Sequence, residues 1–459
     1  MAGGRDATDA SMITGTDEQD SLAVAAPAHA RGDGGSARIA RERGMPPGRA
    51  VAMREPLPGR GPRIGLYGNF GIGNFGNEGS LEAMLRFLQR RWPGAAPSCI
   101  CTAPARAGED HGVPAVAIGR PSGESAAFRA LDRLLLKAPR RLAAWRHALA
   151  VTRRLDALVI PGTGILDDFG TGPWDQPYAL LRWCLAARLN GTRIAFVSVG
   201  AGPILHPTSR LLMTRALRLA HYRSYRDVAS RDFLIGLGVP AARDPVFPDL
   251  AFALPAPQDH APRRAGDDRL TVGIGVMAYT GWQAAGGDGI YRTYVARMRH
   301  AVGAVLERGH RVRLIIGDVA DERAAADVLA GLPRAPAGQD VLVAEPARSL
   351  HDVMRQMAET DVVVASRFHN VVCALRLGRP TLSIGYAPKN DALLAEMGLA
   401  AFRQHIEGLD VALLLAQLDR LIAAREEHGR RIAGVVDGYR DALSRQEDLL
   451  GDSILAAAA

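Results

Sequence analysis

Short, almost wholly apolar runs alternate with amphipathic stretches along most of this chain, and each run ends in glycine or a polar residue. Ala157-Leu158-Val159-Ile160 runs into Pro161-Gly162-Thr163-Gly164, and Val362-Val363-Val364-Ala365 runs into Ser366-Arg367-Phe368-His369. A strand without alternation is buried on both faces, which calls for a parallel sheet covered by helices on each side. The first half reads as strands at 63–67, 98–101, 115–118, 157–160, 193–199 and 222–226. Helices are expected at 79–91, 177–190 and 208–220, with two more over 124–154 broken at Pro139. The pattern lapses over 255–268, rich in Pro, Ala, Asp and Arg, and then restarts. Strands are expected again at 270–277, 311–316, 340–344, 361–365 and 380–385, and terminal helices at 409–425 and 427–449. The predicted fold class is α/β, with two Rossmann-like domains facing a cleft. The expected boundaries are 61–258 and 268–405, followed by C-terminal helices over 406–459. Residues 1–60, aperiodic and balanced at eight Arg against eight acidic residues, read as a disordered extension.

At 459 residues the chain exceeds what one core supports. Its 47% hydrophobic and 23% charged residues are those of an ordinary globular protein. The net charge of +8 rests on arginine: the 56 basic residues include two lysines, Lys137 and Lys389. Such a balance suits acidic small molecules or anionic surfaces. Aromatics at 5% argue against a base-stacking nucleic-acid groove. The four cysteines form no CxxC array, which speaks against a structural zinc site and a disulfide framework and for a reducing cytoplasm. No run of 18 apolar residues and no secretory leader pattern occurs.

Six strand ends carry candidate chemistry. In Tyr67-Gly68-Asn69-Phe70-Gly71-Ile72-Gly73-Asn74-Phe75-Gly76-Asn77-Glu78, glycines and a helix N-terminus offer backbone N–H groups, and Asn74, Asn77 and Glu78 could touch sugar hydroxyls. The loop lacks the Lys-Ser/Thr of a phosphate-binding loop. After Gly164, the adjacent Asp167 and Asp168 could deprotonate a hydroxyl or cap a helix. Ser198-Val199-Gly200-Ala201-Gly202 marks a tight turn. Arg226, beside Asp227, could pair locally or grip an anion across the cleft. Ser366-Arg367-Phe368-His369 puts an arginine and a histidine where an apolar strand meets a helix. Lys389, in Gly385-Tyr386-Ala387-Pro388-Lys389, is a lysine kept where the chain otherwise uses arginine.

Taken in order, these motifs and the Asp-Pro-Val-Phe-Pro-Asp-Leu-Ala run at 244–251 resemble the polysaccharide pyruvyl transferase family over residues 63–400. One departure is Gly76-Asn77-Glu78, where the family usually has Gly-Asp. The resemblance implies a GT-B-like fold. It implies transfer of the enolpyruvyl unit of phosphoenolpyruvate to two hydroxyls of a cell-surface glycan or its precursor, with release of phosphate. Phosphoenolpyruvate is then the co-substrate, and no metal or other cofactor is called for. The implied donor-binding residues are Arg226, Ser366, Arg367, Phe368, His369 and Lys389, with His369 as general acid. Asp167 or Asp168 would be the base, and Asn74, Asn77, Glu78 and Gly164 would meet the acceptor.

A nucleotide-sugar glycosyltransferase of the same build is the rival enzyme, but no Glu-x₇-Glu pattern stands near 361–400. A non-catalytic family member is the third reading. Residues 128–154, with eight basic residues against Asp132 as the only acid, predict either an amphipathic surface that docks on an anionic membrane to meet a lipid-linked glycan or a solvated helix face packed on the sheet. The expected location is cytoplasmic, peripheral at the inner face of the membrane. A homo-oligomer is compatible with the sequence.

Overall fold

The computed structural model describes residues 61–119, 138–257, 269–282, 287–332 and 342–455. The extension 1–60, most of the 255–268 lapse and the first ten residues of the basic stretch 128–154 lie outside them. All described residues belong to one compact unit, Val51–Ala459.

Two six-stranded sheets are present, every pairing within them parallel. The first contains β1 (Arg63–Gly68), β2 (Ala96–Cys101), β3 (Ala115–Ala117), β4 (Ala157–Pro161), β5 (Arg193–Val199) and β6 (Tyr222–Tyr225). Its spatial order is β3-β2-β1-β4-β5-β6. The second contains β7 (Thr271–Gly275), β8 (Arg311–Ile315), β9 (Leu342–Ala344), β10 (Val362–Ala365), β11 (Thr381–Gly385) and β12 (Arg403–His405). It repeats the arrangement as β12-β11-β10-β7-β8-β9. In both, the winding reverses between the first and fourth strands. Open parallel sheets bind ligands at that reversal, beyond the carboxyl ends of the strands. The two-domain α/β expectation therefore holds at the level of two doubly wound sheets.

The apolar runs are buried as their composition requires. Every residue of β4 and of β10 is nearly or fully inaccessible. All four cysteines are free and buried. Burial pushes the Cys99 and Cys101 thiols up, to about 12 and about 11.

Four local expectations change. The first helix begins at Phe75, not 79, because Asn74 caps it by accepting a hydrogen bond from the Asn77 backbone N–H at 3.1 Å. Pro139 stands in the first turn of the described helix Ala138–Thr152, where a missing N–H costs nothing, and the expected helix before it lies outside the described residues. Helices Val228–Gly236 and Pro388–Glu396 begin at the strand-end motifs of Asp227 and Lys389, two elements absent from the expected series. The strand Arg403–His405 closes the second sheet.

The last helix, Arg425–Leu450, does not stay with the second sheet. Its 26 residues are long enough to cross back over the first half. There Tyr439 packs edge-on against Phe252 at 5.0 Å. Gln446 bonds the hydroxyls of Ser198 and Ser224 at 2.9 Å, and all three are buried. Ser198 takes a left-handed backbone conformation with φ 48°.

Candidate active site

Both reversals face one cleft. The Gly73–Phe75 segment of the first half and the Gly317–Val319 turn of the second exchange two backbone hydrogen bonds, Phe75 N–H to Gly317 C=O at 3.3 Å and Val319 N–H to Gly73 C=O at 3.1 Å. Asn74 Nδ2 adds a bond to the Asp318 carboxylate at 3.0 Å. Beside this junction lies a cavity of about 250 Å³. Strand ends of both sheets line it: Asn69 after β1, Thr163 and Gly164 after β4, Arg226 after β6, Arg367 to His369 after β10, and Tyr386 and Lys389 after β11.

Arg226 is almost fully buried. It pairs with Asp249 at 3.2 Å, lies 3.7 Å from Asp227, and stacks its guanidinium over Phe368 at 4.1 Å. Its Nε has no hydrogen-bond partner. Two glycines make room for the charged groups. A Cβ on Gly200 would lie 2.3 Å from the Arg226 guanidinium, and one on Gly76 would lie 1.9 Å from His369 Nδ1. His369 Nε2 is buried, without a hydrogen-bond partner, and 3.6 Å from Asp249. Burial alone would raise the Asp249 carboxyl. The nearby His369 and Arg226 outweigh it and hold that carboxyl below its ordinary value.

Arg367 is engaged more fully than the anion-clamp expectation assumed. Its fork meets both oxygens of the fully buried Asp321, at 2.9 and 2.6 Å, and Asp318 lies 3.7 Å away. Lys389 contrasts with it. Its ammonium sits 5.2 Å from the Tyr386 ring and 5.8 Å from that of Phe368. Among the described residues no carboxylate lies within ion-pair distance of it. Asp167 faces the same space and accepts a hydrogen bond from the Phe169 N–H at 3.2 Å. Burial pushes its carboxyl up, against the pull of Lys389 and Arg226.

Three expected site residues do not face the cavity. Asp168 accepts from the backbone N–H groups of Leu205 and His206 at 3.0 and 2.8 Å, so its oxygens are spent on a turn. Ser366 is fully buried and bonded to Tyr294 and to the Gly275 carbonyl. Glu78 turns back to the Gly71 N–H at 2.7 Å and to His111 at 3.1 Å, bracing the glycine loop. Asn74, Asn77 and Gly164 do line the space, as do Phe368, His369 and Lys389. Sequence reasoning missed Asp249 and Asp321 as partners of the arginines. Asp249 lies inside the quoted 244–251 run; Asp321 has no local signal.

The family model for polysaccharide pyruvyl transferase matches residues 74–388. The chain belongs to the polysaccharide pyruvyl transferase family. The match begins at Asn74 of the junction and stops one residue before Lys389. Membership makes the chain a transferase that acts on a glycan. No curated protein sequence matches it significantly. Among solved structures it is similar to S. aureus MnaA with UDP, at 11% identity, TM-score 0.56, and 87% of this chain against 98% of that one. It is also similar to UDP-GlcNAc 2-epimerase from Neisseria meningitidis bound to UDP-GlcNAc, at 10% identity, TM-score 0.53, and 86% against 99%. A third is the lipopolysaccharide outer core galactosyltransferase WaaB, at 12% identity, TM-score 0.50, and 86% against 99%. Identities this low establish the GT-B-like fold of the transferase and nothing finer. Among the described residues no helix is long and apolar enough to cross a membrane.

Proposed function

We propose that this family member transfers pyruvate from phosphoenolpyruvate to a sugar diol of a cell-surface glycan or its precursor. The observation that carries the reading is Lys389. It is a cation without an ionic partner among the described residues, set in a cleft shared with Arg226 and His369. A small dianionic phosphate with a carboxylate suits such a site. Arg226 brings further donors, while Arg367, held by Asp321, orients the strand end and keeps Asp318 near Asn74.

The reaction needs one proton on carbon and two hydroxyls that lose theirs. His369 protonates the methylene carbon of phosphoenolpyruvate, leaving an oxocarbenium-like centre at C2. Asp249 lies 3.6 Å from the ring's Nε2 and faces the donor nitrogen. The first sugar hydroxyl attacks C2 and gives its proton to Asp167, whose raised affinity for a proton suits a base. The C2–O bond to phosphate breaks, and the second hydroxyl closes the ketal as its proton leaves with phosphate. The proton consumed and the two released balance to one diol, one phosphoenolpyruvate, one ketal and one hydrogen phosphate.

Titration calorimetry with phosphoenolpyruvate tests the donor assignment. Wild type is expected to bind it and Lys389→Met to bind at least tenfold more weakly, the loss of one charged hydrogen bond. Equal affinity in both would remove Lys389 from the donor site. A nucleotide-sugar reading has less support, because a cation aimed at a small anion is not matched by an acidic ribose grip.

A further inference from the structure

A second cavity, about 220 Å³, adjoins the first and shares Gly164, Asp167, Arg226 and Lys389 with it. Its character is different. Gly200 to Pro203, Ala229, Phe233, Ala387 and Pro388 give it a mostly apolar wall, and Trp282 adds an indole face to that wall. Three buried polar atoms in the same wall have no hydrogen-bond partner among the described residues: Trp282 Nε1 and Arg226 Nε, both donors, and Asp227 Oδ2, an acceptor that faces Arg226 Nε at 3.7 Å. The whole Asp227 side chain is nine-tenths buried. Buried polar groups are left unpaired only rarely, and an absent ligand is one physical reason for it.

We infer that this lobe is the acceptor subsite and binds one pyranose of the glycan, its apolar C–H face on Trp282, its hydroxyls on Trp282 Nε1 and Asp227 Oδ2. The inference rests on the pyruvyl-transfer reading for the word acceptor, but the sugar site stands on its own observations. The second lobe shares Arg226 and Lys389 with the first but lacks Arg367 and His369 and adds the Asp227 carboxylate, so the first suits the anionic donor better. An apolar wall with a few placed polar groups fits a neutral polyol. A hydroxyl of that sugar would lie beside Asp167, which borders both lobes. Phe169, 38% exposed and edge-on to Trp282 at 4.9 Å, comes from the first half, whereas Trp282 and Tyr386 come from the second. Phe169 and Tyr386 line the first cavity, so Trp282 of the second lobe packs against the aromatic edge of the donor lobe.

The test uses the full chain and four probes: the methyl pyranosides of glucose, galactose, N-acetylglucosamine and N-acetylmannosamine. Tryptophan emission is compared between wild type and Trp282→Phe, and affinities are taken by calorimetry for both and for Trp282→Ala. At least one probe is expected to change the emission saturably in wild type and not in Trp282→Phe. Trp282→Phe keeps a ring and loses the donor, so affinity should fall severalfold. Trp282→Ala should fall tenfold or more, while the affinity for phosphoenolpyruvate stays within about twofold in both. No emission change with any probe, or equal affinity in all three proteins, overturns the inference. So does saturable displacement by uridine diphosphate in place of a pyranoside. Pyranoside binding at Trp282 in a protein that does not bind phosphoenolpyruvate would leave the sugar site standing and sink the pyruvyl-transfer reading instead.

Discussion

Gly200 lies against the guanidinium of Arg226 so closely that a methyl group there would sit 2.3 Å from it. Gly76 stands in the same relation to His369 at 1.9 Å. Gly200 lies in the loop after β5 and Gly76 in the first turn of the first helix, so an added methyl is fixed by the backbone and the charged side chain has to move. Gly200→Ala and Gly76→Ala are each expected to displace the charged group by about 1 Å and to lower kcat/KM for phosphoenolpyruvate about 10²-fold. Steady-state kinetics beside thermal melts check this; a melt unchanged within about 2 °C with activity intact would contradict it.

Asp167 and Asp168 are adjacent in sequence and unlike in role. Asp167→Asn should lower kcat about 10²- to 10⁴-fold. Because its carboxyl is raised, the acid limb of the wild-type kcat profile should lie above the ordinary carboxylate range, with activity lost as pH falls through it. That limb should vanish in the variant. Asp168→Ala strands the Leu205 and His206 N–H groups and should cost about 1–3 kcal/mol in stability with kcat retained.

The buried Asp249 compensates Arg226 and lies beside His369. Asp249→Asn removes the nearer of the two carboxylates that compensate Arg226 and should destabilise the protein by about 3 kcal/mol. The folded carboxyl titrates below its unfolded value of 3.8. Its contribution is therefore complete above the unfolded value and is lost as pH falls through the folded one. Urea midpoints should show wild type losing more stability than the variant in that acidic window, and parallel losses would refute the assignment.

Gln446 ties the returning C-terminal helix to Ser198 and Ser224 near the ends of β5 and β6, each two residues before Gly200 and Arg226 respectively. Gln446→Leu should cost about 1–3 kcal/mol by leaving two buried hydroxyls without this partner. Denaturant unfolding measures it, and a loss under about 0.5 kcal/mol would show that the clasp contributes little.

The fold was largely legible because fully apolar runs such as 157–160 and 362–365 have one common use, a buried parallel strand. The lining of the cleft was legible because Arg226, Arg367, His369 and Lys389 each follow a strand, where sheet topology places ligands. What the sequence hid was pairing. Nothing near Arg367 announces Asp321, 46 residues away in the chain. Nothing near Trp282 announces Asp227 across the second lobe. Asp168, Ser366 and Glu78 misled because a polar residue at a strand end can cap a turn as readily as face a ligand. Only three-dimensional partners separate the two uses.

The central claim is that the group transferred is pyruvate. Mass spectrometry of a glycan panel incubated with the protein and either phosphoenolpyruvate or UDP-sugars decides it. The account predicts an acceptor that gains one pyruvate less one water, with equimolar phosphate released, and only when phosphoenolpyruvate is supplied. An acceptor that gains a sugar from a UDP-sugar, with no gain from phosphoenolpyruvate on any glycan, would contradict it.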